Sequence, residues 1–88
     1  MTFSIKFSKE AESDIDSLYH SDRRLFERLL NKIESLQDSP MEGKPLVGNH
    51  KGEFSLRVGD YRIIYEIGLS AQTIYVLTIK HRKKAYHY

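Results

Sequence analysis

An α+β fold, a helical hairpin packed on a mainly antiparallel twisted sheet in the order β-α-α-β-β-β, is what this chain predicts. Three observations carry that expectation. Two successive segments of the first half repeat apolar residues at helical spacing, the stretch Phe54 to Ile67 reads as a β-hairpin, and Thr73 to Lys80 is apolar on both of its faces. At 88 residues the chain has room for one core, so residues 1–88 form a single domain.

Each element has a local reason. Phe3-Ser4-Ile5-Lys6-Phe7 alternates apolar and polar residues with period two, as a half-buried strand does. Ser8 suits an N-cap, and from Lys9 to about Tyr19 the residues Ala11, Ile15 and Leu18 fall on one helical face. Glu10 and Glu12 stand in the first turn, where the helix dipole favours them, and Asp14 and Asp16 read as a solvated face. His20-Ser21-Asp22 breaks this helix, with Ser21 or Asp22 placed to cap a second one. There Leu25, Leu29, Ile33 and Leu36 form a stripe widened by Phe26 and Leu30, until Asp38-Ser39-Pro40 ends it. The short connection makes the two helices an antiparallel hairpin. Residues 39 to 53 hold both prolines and three of the glycines, and read as a loop with one short turn around Leu46 and Val47.

The hairpin is the most informative stretch. Gly59-Asp60, between two runs rich in β-branched and aromatic residues, suits a two-residue type II′ turn. Val58 then faces Tyr61, and Arg57 falls opposite Arg62. Like charges directly across a pair of strands cost roughly 0.2–1 kcal/mol. A sequence that keeps such a pair implies a polyanion that both arginines face. In this register Ser55 shares their face opposite Ile64, and Glu53 lies opposite Glu66. If the third strand pairs antiparallel to Tyr61–Ile67, Arg82, just past its end, reaches the same patch. A strand apolar on both faces is central in its sheet.

Charge is distributed unevenly. Residues 1–44 carry seven Lys/Arg against nine Asp/Glu, and residues 45–88 carry seven against three. The basic half has the footprint of a nucleic-acid or acidic-peptide partner. Lys51, Arg57, Arg62, Lys80, Arg82, Lys83 and Lys84 are its cations, with His81, Tyr86 and His87 close by. There are no cysteines, so disulfides and thiolate metal sites are excluded, and the four histidines lack the paired spacing of a zinc site. No long apolar run is present, so neither a membrane span nor a secretory leader is expected, and a reducing cytoplasm is the expected compartment.

The signature from Gly52 through Phe54-Ser55-Leu56-Arg57-Val58-Gly59-Asp60-Tyr61-Arg62 to Ile67, followed by a last strand and His81-Arg82-Lys83-Lys84-Ala85-Tyr86, resembles the RelE branch of the RelE/ParE toxin family. The likeness covers nearly the whole chain and implies the RelE-like microbial RNase fold. It implies a toxin of a type II toxin-antitoxin system that enters the ribosomal A site and cuts mRNA, with a RelB-like antitoxin as partner and no metal or other cofactor. The resemblance puts Arg62 and Arg82 on the family's two catalytic arginines, Arg57 on a position that is often lysine, and Tyr86 on its late tyrosine. Lys51, Ser55, Lys80, His81, Lys83 and Lys84 are then expected to bind RNA. Ser55 stands where better-known members have a lysine, which leaves the general base open among Lys51, His81 and Tyr86. The ending Tyr86-His87-Tyr88 also resembles that of the relative YoeB, at a different spacing from the last strand. Two other readings accompany the first: a ParE-like inhibitor of DNA gyrase, and a weakly catalytic homologue that serves mainly as an antitoxin-binding, autorepressing module.

Overall fold

The computed structural model describes residues 2–48 and 52–85, with the side chains of Lys84 and Ala85 left aside. The expected calls on Lys51, Tyr86, His87 and Tyr88, and on the side chain of Lys84, lie outside the described residues. The chain runs β1 (Ser4–Phe7), α1 (Lys9–Ser21), α2 (Arg23–Ser35), β2 (Lys44–Pro45), β3 (Glu53–Val58), β4 (Tyr61–Gly68), β5 (Thr73–His81) and a one-turn helix α3 (Arg82–Ala85). The strands form one sheet in the order β1-β5-β4-β3-β2. All pairings are antiparallel except β1 with β5.

The caps form as the local chemistry dictates. Ser8 Oγ accepts the N–H of Ala11 at 3.0 Å, and Asp22 Oδ1 accepts that of Leu25 at 3.1 Å. Asp22 also takes the C-cap place of α1, so one residue both ends the first helix and begins the second. The stripes of the two helices cover one face of the sheet. Leu29, Ile33 and Leu36 pack with Leu56, Val58, Ile63, Tyr65, Ile74, Val76 and Ile79 in a single core cluster. Burying each such aliphatic side chain contributes about 1.5–3 kcal/mol.

Two elements were not expected. The loop after α2 contains β2, which pairs Lys44 with Ser55 and Pro45 with Phe54, and Leu46 N–H continues the contact to Glu53 O at 2.8 Å. Two residues carry too little pattern to read as a strand, and Pro45 argues against one except at a sheet edge, which is where it lies. The hydroxyl of Tyr65 fastens this segment from below, donating to Pro40 O at 2.7 Å and accepting from Gly43 N at 2.9 Å. The second addition, α3, follows β5 directly.

The hairpin has the expected register, with Val58 opposite Tyr61, Arg57 opposite Arg62, Ser55 opposite Ile64 and Glu53 opposite Glu66. Gly59 has φ +60 and Asp60 does not enter the positive-φ region, as a type II′ turn requires. β5 lies inside the sheet between β1 and β4, and a bulge interrupts its register with β4 after Ile64.

Beyond Val76 the β1 side of β5 has no strand beside it, because β1 pairs only as far as Phe7. α1 supplies the missing partners. Ser8 N donates to Val76 O at 2.9 Å, Ser8 Oγ donates to Leu77 O at 2.6 Å, and Asp14 Oδ2 accepts the N–H of Ile79 at 3.1 Å. The expectation of a solvated Asp14 is therefore corrected. Its side chain is only 15% exposed, and its other oxygen accepts Lys80 Nζ at 2.8 Å. A carboxylate in this place satisfies a backbone donor that burial would otherwise strand.

Candidate active site

Strand alternation separates the two faces of the sheet. Leu56, Val58, Ile63 and Tyr65 point to the helices, so Ser55, Arg57, Arg62 and Ile64 point away from them. On that outer face Arg57, Arg62 and Lys80 stand side by side across β3, β4 and β5. Beneath them runs the row Ser55, Ile64 and Thr78, all buried although the helices are on the other side.

The members of the cationic row differ in their partners. Arg57 is exposed and its Nε donates to Gly59 O at 3.2 Å, which holds the guanidinium stem back against the turn. Arg62 is half-buried. Lys80 turns over the β5 edge towards α1, where Asp14 and Glu10 receive its ammonium at 2.8 and 3.4 Å. The hydrogen bond that Lys80 donates to Asp14 is the main reason that its pKa is raised, against an opposing contribution from burial. Lys80, expected as an RNA contact, is thus engaged within the protein.

Arg82 stands at the turn end of the sheet. Its backbone N–H donates to Asp60 O at 2.7 Å, which ties the start of α3 to the residue after Gly59. Arg82 and Lys83 are exposed. His81 lies opposite Tyr61, with its ring edge-on to that ring at 5.5 Å, and so falls on the helix side of the sheet, away from Arg62. Its Nδ1 accepts the N–H of Lys83 at 3.3 Å, which leaves Nε2 as the nitrogen that carries the proton in the neutral ring.

Past the end of β2 the β3 edge opens into a cleft of about 500 Å3, lined among others by Lys44, Leu46, Ser55, Arg57 and Arg62. Lys32, at its rim, is paired with Glu42. Two guanidiniums beside a hydroxyl at the mouth of a concave surface make a site for an anion with several oxygen acceptors, and arginine matches phosphate geometry with two parallel N–H donors. Among the described residues no group of three or more His, Asp or Glu side chains could hold a metal ion. No helix of the described residues is long and apolar enough to cross a membrane.

Asp14 reads as solvated from its own helix because its partners, Ile79 and Lys80, lie 65 and 66 positions further along the chain. The arginines of α2 also stand outside the expected site, although their spacing is present in the sequence.

A helical hairpin packed on this sheet is a fold shared with solved chains of toxin-antitoxin complexes. A chain of the toxin-antitoxin complex RelBE2 from Mycobacterium tuberculosis superposes with a TM-score of 0.82 at 28% identity, covering 93% of this chain and 100% of that one. The archaeal RelE-RelB complex from Pyrococcus horikoshii gives 0.74 at 25% identity, covering 93% and 97%. In sequence the chain is 31% identical over 87 residues to Toxin RelG of Mycobacterium tuberculosis, covering 98% of each. It belongs to the family described as ParE toxin of type II toxin-antitoxin system, parDE, whose model matches residues 5–86.

Proposed function

We propose that this chain is a ribosome-dependent endoribonuclease that cuts mRNA in the ribosomal A site. The observation that carries this reading is the placement of Arg57 and Arg62 side by side on the outer face, with Arg82 anchored at the same end of the sheet. In the reaction the ribose 2′-oxygen attacks the adjacent phosphorus as its proton leaves. The bond from phosphorus to the 5′-oxygen breaks, and that oxygen takes up a proton. Between these events the phosphorane carries extra negative charge, and fixed guanidiniums stabilise it more than they stabilise the starting diester.

Arg62 and Arg82 take this role, with Arg82 also placed to assist the leaving oxygen. Arg57 positions the phosphate, because a guanidinium holds its proton too firmly to serve as a base. Ser55, on the floor of the cleft, contributes a hydroxyl where the resemblance would have a lysine. The position of His81 on the opposite face favours Lys51 or Tyr86 as the group that assists deprotonation of the 2′-hydroxyl. The reaction draws on no metal or cofactor. The chain works in the cytoplasm, and a RelB-like antitoxin holds it inactive, as the partnership in the RelBE2 and RelE-RelB complexes supports.

Purified protein mixed with programmed ribosomes is expected to produce A-site cuts by primer extension. Arg62→Ala or Arg82→Ala is expected to reduce them by about 100-fold or more, the scale on which removal of one donor to a charged transition state acts. The family description favours a second reading, a ParE-like poison of DNA gyrase. Intact mRNA together with gyrase-dependent DNA breaks would establish that reading in place of the first.

A further inference from the structure

α2 sorts its charges by flank. Arg24, Arg28 and Lys32 recur every four residues along one side, and Glu27 and Glu34 lie on the other. The cationic flank is the one turned towards the β3–β4 turn. Arg24 and Arg28 line a cleft of about 380 Å3 with Asp60, Tyr61 and His81. Arg28, Lys32 and Arg57 line a second cleft of about 500 Å3 next to it.

Arg28 belongs to both clefts, and its guanidinium lies 3.6 Å from where a Cβ on Gly59 would stand. The two clefts therefore form one groove that passes beside the turn. At its far end is Arg57, which also lines the cleft of the candidate active site. Carboxylates lie along the way, but two of the three are engaged. Asp22 caps α2 and Glu42 holds Lys32, while Asp60 stands at the turn. Among the described residues neither Arg24 nor Arg28 makes an ion pair, and both are exposed. Arginines stacked four apart on a helix repel one another unless an anion lies across them.

We propose that Arg24 and Arg28 form a second phosphate track, which holds the backbone of RNA running from the candidate active site past Arg57 and beside the β3–β4 turn. The inference rests on the RNA-cleaving reading above. It extends that site to a helix on the opposite face of the sheet, so one RNA strand would wrap the hairpin edge. Message and ribosomal RNA present the same phosphates, and the test separates the two sources.

The double variant Arg24→Gln/Arg28→Gln of the full chain is compared with its parent for binding to ribosomes with and without mRNA, from roughly 50 to 200 mM salt. Both carry Arg62→Ala for the binding measurement, so that the message stays whole. Affinity is expected to fall by about tenfold, and the slope of log affinity against log salt to flatten by about one for each arginine. Cleavage at saturating ribosome, measured with Arg62 in place, is expected to be unchanged. A loss seen only with mRNA present assigns the track to the message, and the same loss on empty ribosomes assigns it to ribosomal RNA. Arg23→Gln is the control, since Arg23 lies over the Tyr19 ring and outside the groove, and it is expected to leave both quantities as they were. Unchanged affinity and salt slope in the double variant would overturn the track, as would a loss confined to binding of an acidic antitoxin. If the unsubstituted chain still cuts in the A site when that happens, the RNA-cleaving reading survives. If it does not cut, that reading fails by itself.

Discussion

The two faces of the sheet are specified by different physics. On the helix face, β3, β4 and β5 present Leu56, Val58, Ile63, Tyr65 and Ile79, which are nearly or wholly withdrawn from water by α1 and α2. On the outer face the same strands present Arg57, Arg62 and Lys80, a row of three cations at adjacent register positions. The first face gains stability from contact. The second loses some through repulsion, and natural sequences accept such losses at functional sites. On the proposed reading, stability and recognition are carried by alternate residues of the same strands.

Substitutions on each face should separate accordingly. The largest effect belongs to the core. Leu29→Ala removes a fully buried side chain and is expected to lower the unfolding free energy by about 2–5 kcal/mol in a urea titration, with little change in cleavage per folded molecule.

A middle-sized effect belongs to pH, and it tests where the outer row meets the core. Burial raises the Tyr65 pKa, Glu42 adds to the rise, and the Gly43 N–H opposes it. The Asp14 hydrogen bond does the same for Lys80. Both groups hold their protons more firmly folded than unfolded. Stability is then level below the ordinary values of 10.0 and 10.5 and falls as pH rises from there through the raised folded values. Denaturation curves between neutral and strongly alkaline pH should show that fall. In Asp14→Asn the amide oxygen can still accept the Ile79 N–H but no longer neutralises Lys80, so the alkaline fall should shrink. The neutral-pH cost should be about 0.5–1 kcal/mol.

The smallest effect is also the most pointed. Arg57→Thr removes the like-charge pair with Arg62 and puts a good strand former in its place. Stability is expected to stay level or rise by a few tenths of a kcal/mol, while cleavage falls. A loss of more than about 1 kcal/mol would mean that Arg57 is held by structure and not kept for an anion.

What was legible in the sequence was local. Ser8 and Asp22 cap helices through residues three positions away, and Gly59-Asp60 sets a register that places Arg57 against Arg62 without reference to any other element. What escaped depended on distance along the chain. Asp14 has the composition of a solvated helical face, and only the end of β1 at Phe7 shows that β5 needs its oxygens. β2 exists because β3 offers an edge, not because Lys44-Pro45 favours a strand. The Arg24, Arg28 and Lys32 spacing was readable, but a cationic flank acquires meaning only when the hairpin turn is seen beside it. The resemblance assigned roles to single residues, and the geometry showed that the Lys80 ammonium is held by Asp14 and that His81 lies on the other face from Arg62.

The contacts of β1 and α1 with β5 also set an order in which the fold can close. Ser4 pairs with Thr73, and Asp14 accepts from Ile79, so β1 and α1 depend on a strand far along the chain. The helical hairpin can form locally, but the edge groups of Ser8 and Asp14 have no partners, and its apolar stripe only part of its cover, until residues 73–81 join the sheet. Contacts that span most of a chain form slowly because the whole intervening loop must close first. Arg82 follows directly on that strand, so the anchoring of its backbone to Asp60 is among the last events of folding. On the proposed RNA-cleaving reading, a chain whose β5 has not yet joined the sheet lacks the anchored Arg82 of the candidate site.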